Sequence, residues 1–235
     1  MKKLVLIPSY LGDKNYNNHF PIDNKAQINE IQVFFVEDIR TARRFLGHIK
    51  VKTPIQDLIF EVVDRKTTKQ EVQSLFKNYK NQPIGVLSEA GCPGIADPGA
   101  LAVEVANDLN YEIVPLVGPS SITLALMGSG LNGQSFRFVG YIPVKKPDRI
   151  KRIKELDQES LTTYSTQIFI ETPYRNEHLF NDLINTLHPE TRLCVACGLL
   201  SENQFIKTKK AKDWKKADKP NINKIPTIFM FLNKD

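Results

Sequence analysis

No apolar run in this chain approaches the roughly 18 residues that a membrane-spanning helix needs. The apolar run of MKKLVLIP ends at Pro8. It is shorter than the stretch of about 7–15 residues at the heart of a secretory signal. The expectation is a cytoplasmic protein with no membrane association. Cysteine is scarce as well: three in 235 residues, an odd number that builds no disulfide framework. Cys194 and Cys197 form a CxxC inside RLCVACGLL, which reads as a buried strand. Residues three apart on a strand face opposite ways, so one metal ion does not easily take both, and no metal site is expected. Neither GxGxxG nor GxxxxGK[ST] occurs, which argues against a dinucleotide or a triphosphate ligand. Internal repeats and low-complexity tracts are absent.

What remains is ordinary soluble material with a basic bias. Hydrophobic residues make up 41% and charged residues 25%, and 32 basic against 26 acidic side chains leave a net charge of +6. The excess sits in KKPDRIKRIK (145–154) and KTKKAKDWKK (207–216). Each run reads as a solvated face or as a phosphate-neutralising patch.

Strand and helix signals alternate. KLVLI (3–7), VFFVE (33–37), IGVLS (84–88) and YEIVPL (111–116) read as strands. Helices follow over 38–48, with Asp38 as N-cap, and over 69–79, with Val72, Leu75, Phe76 and Tyr79 on one face. That alternation implies βαβ units and a parallel sheet. Beyond VGPSS (117–121) a helix is expected over 121–131 and another from Pro173, among strands at 136–142, 167–171, 192–197, 203–209 and 226–232. The expected fold class is α/β. It has two α/β domains: 1–116 with a mostly parallel sheet and flanking helices, and 117–235 with a mixed sheet.

Between the strand IGVLS and the helix ALAVEVANDL lies SEAGCPGIADPG (88–99). Ligands of parallel α/β sheets bind outside the carboxyl ends of the strands. Glycines let backbone approach a ligand, prolines stiffen the loop, and Asp97 is placed to cap the next helix. PSYLGD (8–13) and VGPSS are further loops of this kind, so three rigid loops could face one ligand.

PSYLG (8–12), VEDIRTARRFL (36–46), SEAGCPGIADPG, PLVGPSS (115–121), SGLNG (129–133), FVGYIP (138–143) and IETPYR (170–175), in this order, resemble the tetrapyrrole-methylase-type (class III) S-adenosylmethionine-dependent methyltransferases. Within that family the chain is most similar to the branch that methylates a ribose 2′-hydroxyl of small-subunit ribosomal RNA. The resemblance implies a homodimer of tetrapyrrole-methylase-like chains, with S-adenosyl-L-methionine in a cleft between the two domains. It implies donor contacts from Pro8, Ala90, Gly91, Cys92, Ile95, Ser120, Ser121, Glu171, Gly198 and Leu199. RNA contacts are expected from Lys145, Lys146, Arg149, Lys151 and Arg152.

Glu37, Glu89, Asp97 and Glu171 are the candidate bases for a ribose hydroxyl, with Glu171 favoured. Asp97 has a plain alternative as a helix cap, and Glu37 as an ion-pair partner of Arg40. Relatives carry Asp-Ala-Gly-Thr-Pro where this chain has Glu89 to Pro93, Gly-Asn where it has Gly12-Asp13, and Ala-Arg-Glu-Leu-Thr-Lys where it has ACGLLS (196–201). Carbon methylation of a tetrapyrrole, and a non-catalytic role in binding RNA or donor, are the competing readings.

Overall fold

The alternation of apolar strands and amphipathic helices is present in the computed structural model, which describes residues 2–12, 19–80 and 82–234. The chain forms two units, Met1–Ser120 and Ser121–Asp235. Asp13 lies outside the described residues.

In the first unit five strands form one sheet: β1 (Lys3–Ile7), β2 (Val33–Val36), β3 (Ile59–Val62), β4 (Ile84–Leu87) and β5 (Glu112–Pro115). Their order is β3-β2-β4-β1-β5 and every pair is parallel. The helices are α1 (Ile22–Ile28), α2 (Ile39–His48), α3 (Lys69–Asn78) and α4 (Gly99–Asp108). Alternation along β2 explains the two layers. Phe34 and Val36 pack with Ile28 of α1 and Ala42 and Phe45 of α2. Val33 and Phe35 pack with Val72 and Phe76 of α3 and Val105 of α4. Burying a side chain of this size contributes about 1.5–3 kcal/mol. Asp38 caps α2 as expected, its Oδ1 accepting from the Thr41 N–H at 2.8 Å. A Thr68–Glu71 capping box starts α3.

This wiring matters for function. The connection leaving β1 runs through α1 on one face, while that leaving its neighbour β4 runs through α4 on the other. Adjacent strands whose connections part in this way open a crevice at their carboxyl ends.

The second unit holds β6 (Phe136–Tyr141), β7 (Thr166–Ile170), β8 (Arg192–Cys197), β9 (Phe205–Lys210) and β10 (Thr227–Leu232). The order is β6-β7-β10-β8-β9, with β6 parallel to β7 and the other pairs antiparallel. One face of this mixed sheet, with Phe229 and Phe231 of β10, is covered by α6 (Lys146–Thr163), α7 (Asn176–Thr186) and α8 (Ala211–Trp214). The opposite face, with Ile228 and Met230, is covered by α5 (Ser121–Ser129). Cys197 belongs to the first cluster and Cys194 to the second, so the CxxC thiols lie on opposite faces of β8.

Two expectations are corrected here. The run KKPDRIKRIK is not merely a charge cluster. It forms the first turns of α6, whose Ile153 and Leu156 are fully buried. The helix expected from Pro173 starts as a short 3-10 turn, Pro173–Arg175, and α7 proper begins at Asn176. Asn176 fixes that start, its Nδ2 donating to the carbonyls of Ile222 and Ile225 and to Thr227 Oγ1 at 2.7–3.1 Å.

Candidate active site

Three loops meet at the carboxyl ends of β1, β4 and β5. Ser9 N donates to the Gly91 carbonyl at 2.9 Å, joining the loop after β1 to the loop after β4. Gly91 takes φ +73°, a region open to glycine at little cost, and a β-carbon there would lie 3.3 Å from the Pro119 carbonyl. At Gly118 the fit is closer still: a β-carbon would stand 2.4 Å from the Pro8 ring. Cys92 Sγ lies 3.4 Å from the Pro119 carbonyl, and burial pushes its thiol pKa up, so it serves as a neutral, weak donor. Pro8, Gly91, Cys92 and Ser120 are therefore drawn together within one unit.

Asp97 holds the loop after β4. Its Oδ1 accepts from Gly99 N at 2.8 Å and from Gly94 N at 3.1 Å, while Oδ2 accepts from the Ser88 hydroxyl at 3.1 Å. Pro98 rather than Asp97 stands at the N-cap of α4, and the Asp97 carboxylate is committed instead as a clamp on the loop and on Gly99, which leaves it unsuited as a base. With the loop so fixed, Ala90 and Ile95 remain exposed, Ile95 to 51%. An apolar side chain held in the open on a rigid loop, beside exposed backbone, suits a ligand with both apolar and polar parts. The three loops fit a compact donor such as S-adenosylmethionine, which asks for backbone amides and carbonyls and small side chains.

Beside them opens a cavity of about 280 Å³. Its walls are the loop after β1 at Ser9, α2 at Thr41, Arg44 and His48, and the end of β4 at Glu89. Desolvation pushes the Glu89 carboxyl above its ordinary value. The Thr41 hydroxyl opposes that shift, and the charges of Asp38 and Glu37 reinforce it. Arg40 reaches Asp38 at 3.7 Å rather than the Glu37 expected from sequence.

In the second unit, β7 and β8 both run antiparallel to β10, so Glu171 and the Gly198–Leu199 pair lie at the same end of that sheet. Ser121 opens α5. Gly198 takes φ +58° and donates to the Pro226 carbonyl at 3.0 Å. Glu171 is 5% exposed, and its Oε1 accepts from Arg175 at 2.5 Å and from Thr172 N at 2.6 Å. A carboxylate engaged in this way is an anchor for Arg175, whose own pKa it raises. The favoured base is thus tied up as a structural ion pair.

The basic residues of α6 divide. Lys145, Lys146 and Lys151 are exposed. Arg149 is a correction: it is buried, with Nε and a terminal nitrogen on Asp182 Oδ2 at 2.8 and 2.6 Å and with the Val144 carbonyl as a further acceptor. Arg152 is half-buried between Glu155 and Glu159. These two guanidiniums hold the helix rather than offer charge to a polyanion.

No family model matches the chain. It is 27% identical over 224 residues to ribosomal RNA small subunit methyltransferase I of Buchnera aphidicola subsp. Schizaphis graminum, covering 94% of this chain and 75% of that protein. Identity to the protein of that name from Vibrio cholerae is 28% over 203 residues (86% and 67%), and to that from Synechocystis 31% over 169 residues (72% and 58%). Among solved structures, the methyltransferase CobJ superimposes with a TM-score of 0.62 at 14% identity, covering 99% of this chain and 95% of that one. Uroporphyrin-III-C-methyltransferase from Thermus thermophilus gives 0.55 at 14% identity (98% and 92%). The chain shares the fold of these methyltransferases and is similar over most of its length to the ribosomal RNA small subunit methyltransferases.

Three residues that line the cavity were given no role by the sequence. Thr41, Arg44 and His48 fall inside the run VEDIRTARRFLGH but drew no role. Their signal was available: offsets of three and four put them on one stripe of α2, while Ala42, Phe45 and Leu46 are buried.

Proposed function

We propose that this chain transfers a methyl group from S-adenosyl-L-methionine to a ribose 2′-hydroxyl of small-subunit ribosomal RNA, acting as a cytoplasmic homodimer. The observation that carries the reading is the convergence of the loops after β1, β4 and β5, tied by the Ser9–Gly91 hydrogen bond and the contact of Gly118 with Pro8. The curated relatives, named ribosomal RNA small subunit methyltransferase I, support methyl transfer to that RNA.

Bound at these loops, the donor supplies a methyl group made electrophilic by its sulfonium. The protein's part is placement. Ala90, Gly91 and Ile95 present backbone and a small apolar surface, Asp97 keeps the loop from shifting, and Cys92 fills space against Pro119 without charge. Rigid placement of reacting groups is a large source of rate in displacement chemistry. Lys145, Lys146 and Lys151, exposed on α6 and just before it, suit RNA phosphates.

Purified protein, labelled donor and small-subunit RNA lacking the modification provide the test. Label should enter RNA, and mass spectrometry should place it on a ribose. The log of affinity should fall linearly with the log of salt concentration. Transfer to a porphyrin precursor with none to RNA would overturn the reading.

A further inference from the structure

The cavity beside the donor loops has a chemistry of its own. Leu11, Phe45 and Leu87 give it an apolar part. Its polar lining is one guanidinium (Arg44), one imidazole (His48), one carboxylate (Glu89) and the hydroxyls of Ser9 and Thr41. Ser9 is 4% exposed, and its Oγ has no hydrogen-bond partner among the described residues. A buried hydroxyl without a partner is uncommon and marks a place where a ligand or water completes the bonding. The Ser9 N–H is already committed to the Gly91 carbonyl, which leaves the hydroxyl as the donor this residue can still offer. Arg44 and His48 are exposed, and no carboxylate lies within 4 Å of either among the described residues. The His48 ring meets Tyr10 edge-on at 5.7 Å.

We propose that this cavity receives one nucleotide of the acceptor RNA, its base against Leu87 and Phe45, its phosphate on Arg44 and its sugar hydroxyls on Ser9 Oγ and Glu89. This rests on the RNA methyltransferase reading and names the subsite that reading leaves open. The size agrees: about 280 Å³ is at the small end of ligand sites, below what a polycarboxylate macrocycle fills. The charges agree too, since a single cation beside a carboxylate suits one phosphate and a sugar better than many carboxylates. The Ser9–Gly91 bond sets this nucleotide next to the donor loop, where a receiving hydroxyl has to be.

The test combines three measurements on the full chain. Donor affinity is read by calorimetry, RNA kinetics by labelled methyl transfer, and cavity occupancy by the His48 ring resonances during titration with cytidine or adenosine 5′-monophosphate. In the wild type the nucleotide should move the His48 signals. Arg44→Ala should raise the KM for RNA at least tenfold, abolish the nucleotide-induced shift and leave the donor Kd within twofold. It should also reduce the magnitude of the salt slope by about 0.7–0.9, the share of one phosphate contact. Ser9→Ala, which deletes only the spare hydroxyl, should raise KM severalfold with the same donor Kd. Lys77→Ala, on the exposed face of α3, should change nothing.

If Arg44→Ala and Ser9→Ala keep wild-type RNA kinetics, or weaken donor and RNA alike, the cavity is not an acceptor subsite. If the wild type binds donor and shows the His48 shift yet methylates no RNA, the RNA methyltransferase reading fails while the nucleotide site stands.

Discussion

Arg149 on α6 and Asp182 on α7 form a buried pair in which two guanidinium nitrogens grip one carboxylate oxygen at 2.6 and 2.8 Å. Their side chains are 9% and 11% exposed. Removing one partner leaves a charge in a poor solvent, which costs about 3–5 kcal/mol in comparable pairs. The Val144 carbonyl would still accept from Arg149, so Asp182→Ala should cost about 3 kcal/mol, the lower end of that range. Urea unfolding measures it. A loss below about 1 kcal/mol would show the pair to be superficial.

Gly118→Ala tests the loop convergence. The new methyl would stand 2.4 Å from the Pro8 ring, which cannot swing away as a flexible side chain does, so the two loops must part. Donor affinity by calorimetry should fall at least tenfold. Gly47 offers the contrast, because a β-carbon there meets nothing within 4 Å. Gly47→Ala should leave donor affinity unchanged and stabilise the chain by about 0.4–1 kcal/mol.

Glu89 provides a pH signature. Its folded pKa is raised, so the folded chain holds that proton more tightly than the unfolded chain does. The associated stability is complete below the unfolded value of about 4.3 and is lost as pH rises through the folded one. At pH 7 the ionised carboxylate is a burden. Glu89→Gln should therefore raise Tm at pH 7, with the gain shrinking toward zero at pH 4. Melting curves at the two pH values decide it, and an equal gain at both would rule out titration of Glu89 as the cause.

The cysteines should separate by accessibility. Cys194 and Cys197 are fully buried, while Cys92 is partly exposed. Burial raises the Cys92 pKa, so its thiolate is scarcer than that of a free cysteine at pH 8. Iodoacetamide should modify Cys92 first, more slowly than it modifies glutathione, and faster as pH climbs above the usual thiol range. Peptide mass mapping follows it. S-adenosylmethionine should protect Cys92, whereas Cys194 and Cys197 should react only after unfolding.

Much of the scaffold can be read from local pattern. VFFV and IGVL are uninterrupted apolar runs because their strands are covered on both faces, and Asp38 announces α2 by its capping chemistry. The edge strand β3 is harder to see: IFEV is only partly covered, so its apolar signal is diluted by Glu61. The polar, seven-residue α1 and the charged opening of α6 hide for the same reason. Around the site, the loops follow from their glycines and prolines. The commitments of Arg149 and Glu171 do not, because Asp182 is 33 positions from its partner and nothing local marks Glu171 as buried. An acidic or basic letter gives charge, whereas availability depends on what folds against it.

Among the described residues, β9 has no neighbouring strand on one side and forms a rim of the second sheet. Open ladders of this kind template the addition of further chains, and lysine is a common deterrent. Lys207 and Lys210 stand exposed along this rim. Any second copy docking there in register would bring its own cations against them. With Lys210 paired to Glu190 at 2.6 Å, Lys207 is the cation that a strand added along KTKK would have to bury, and that cost disfavours edge-to-edge pairing.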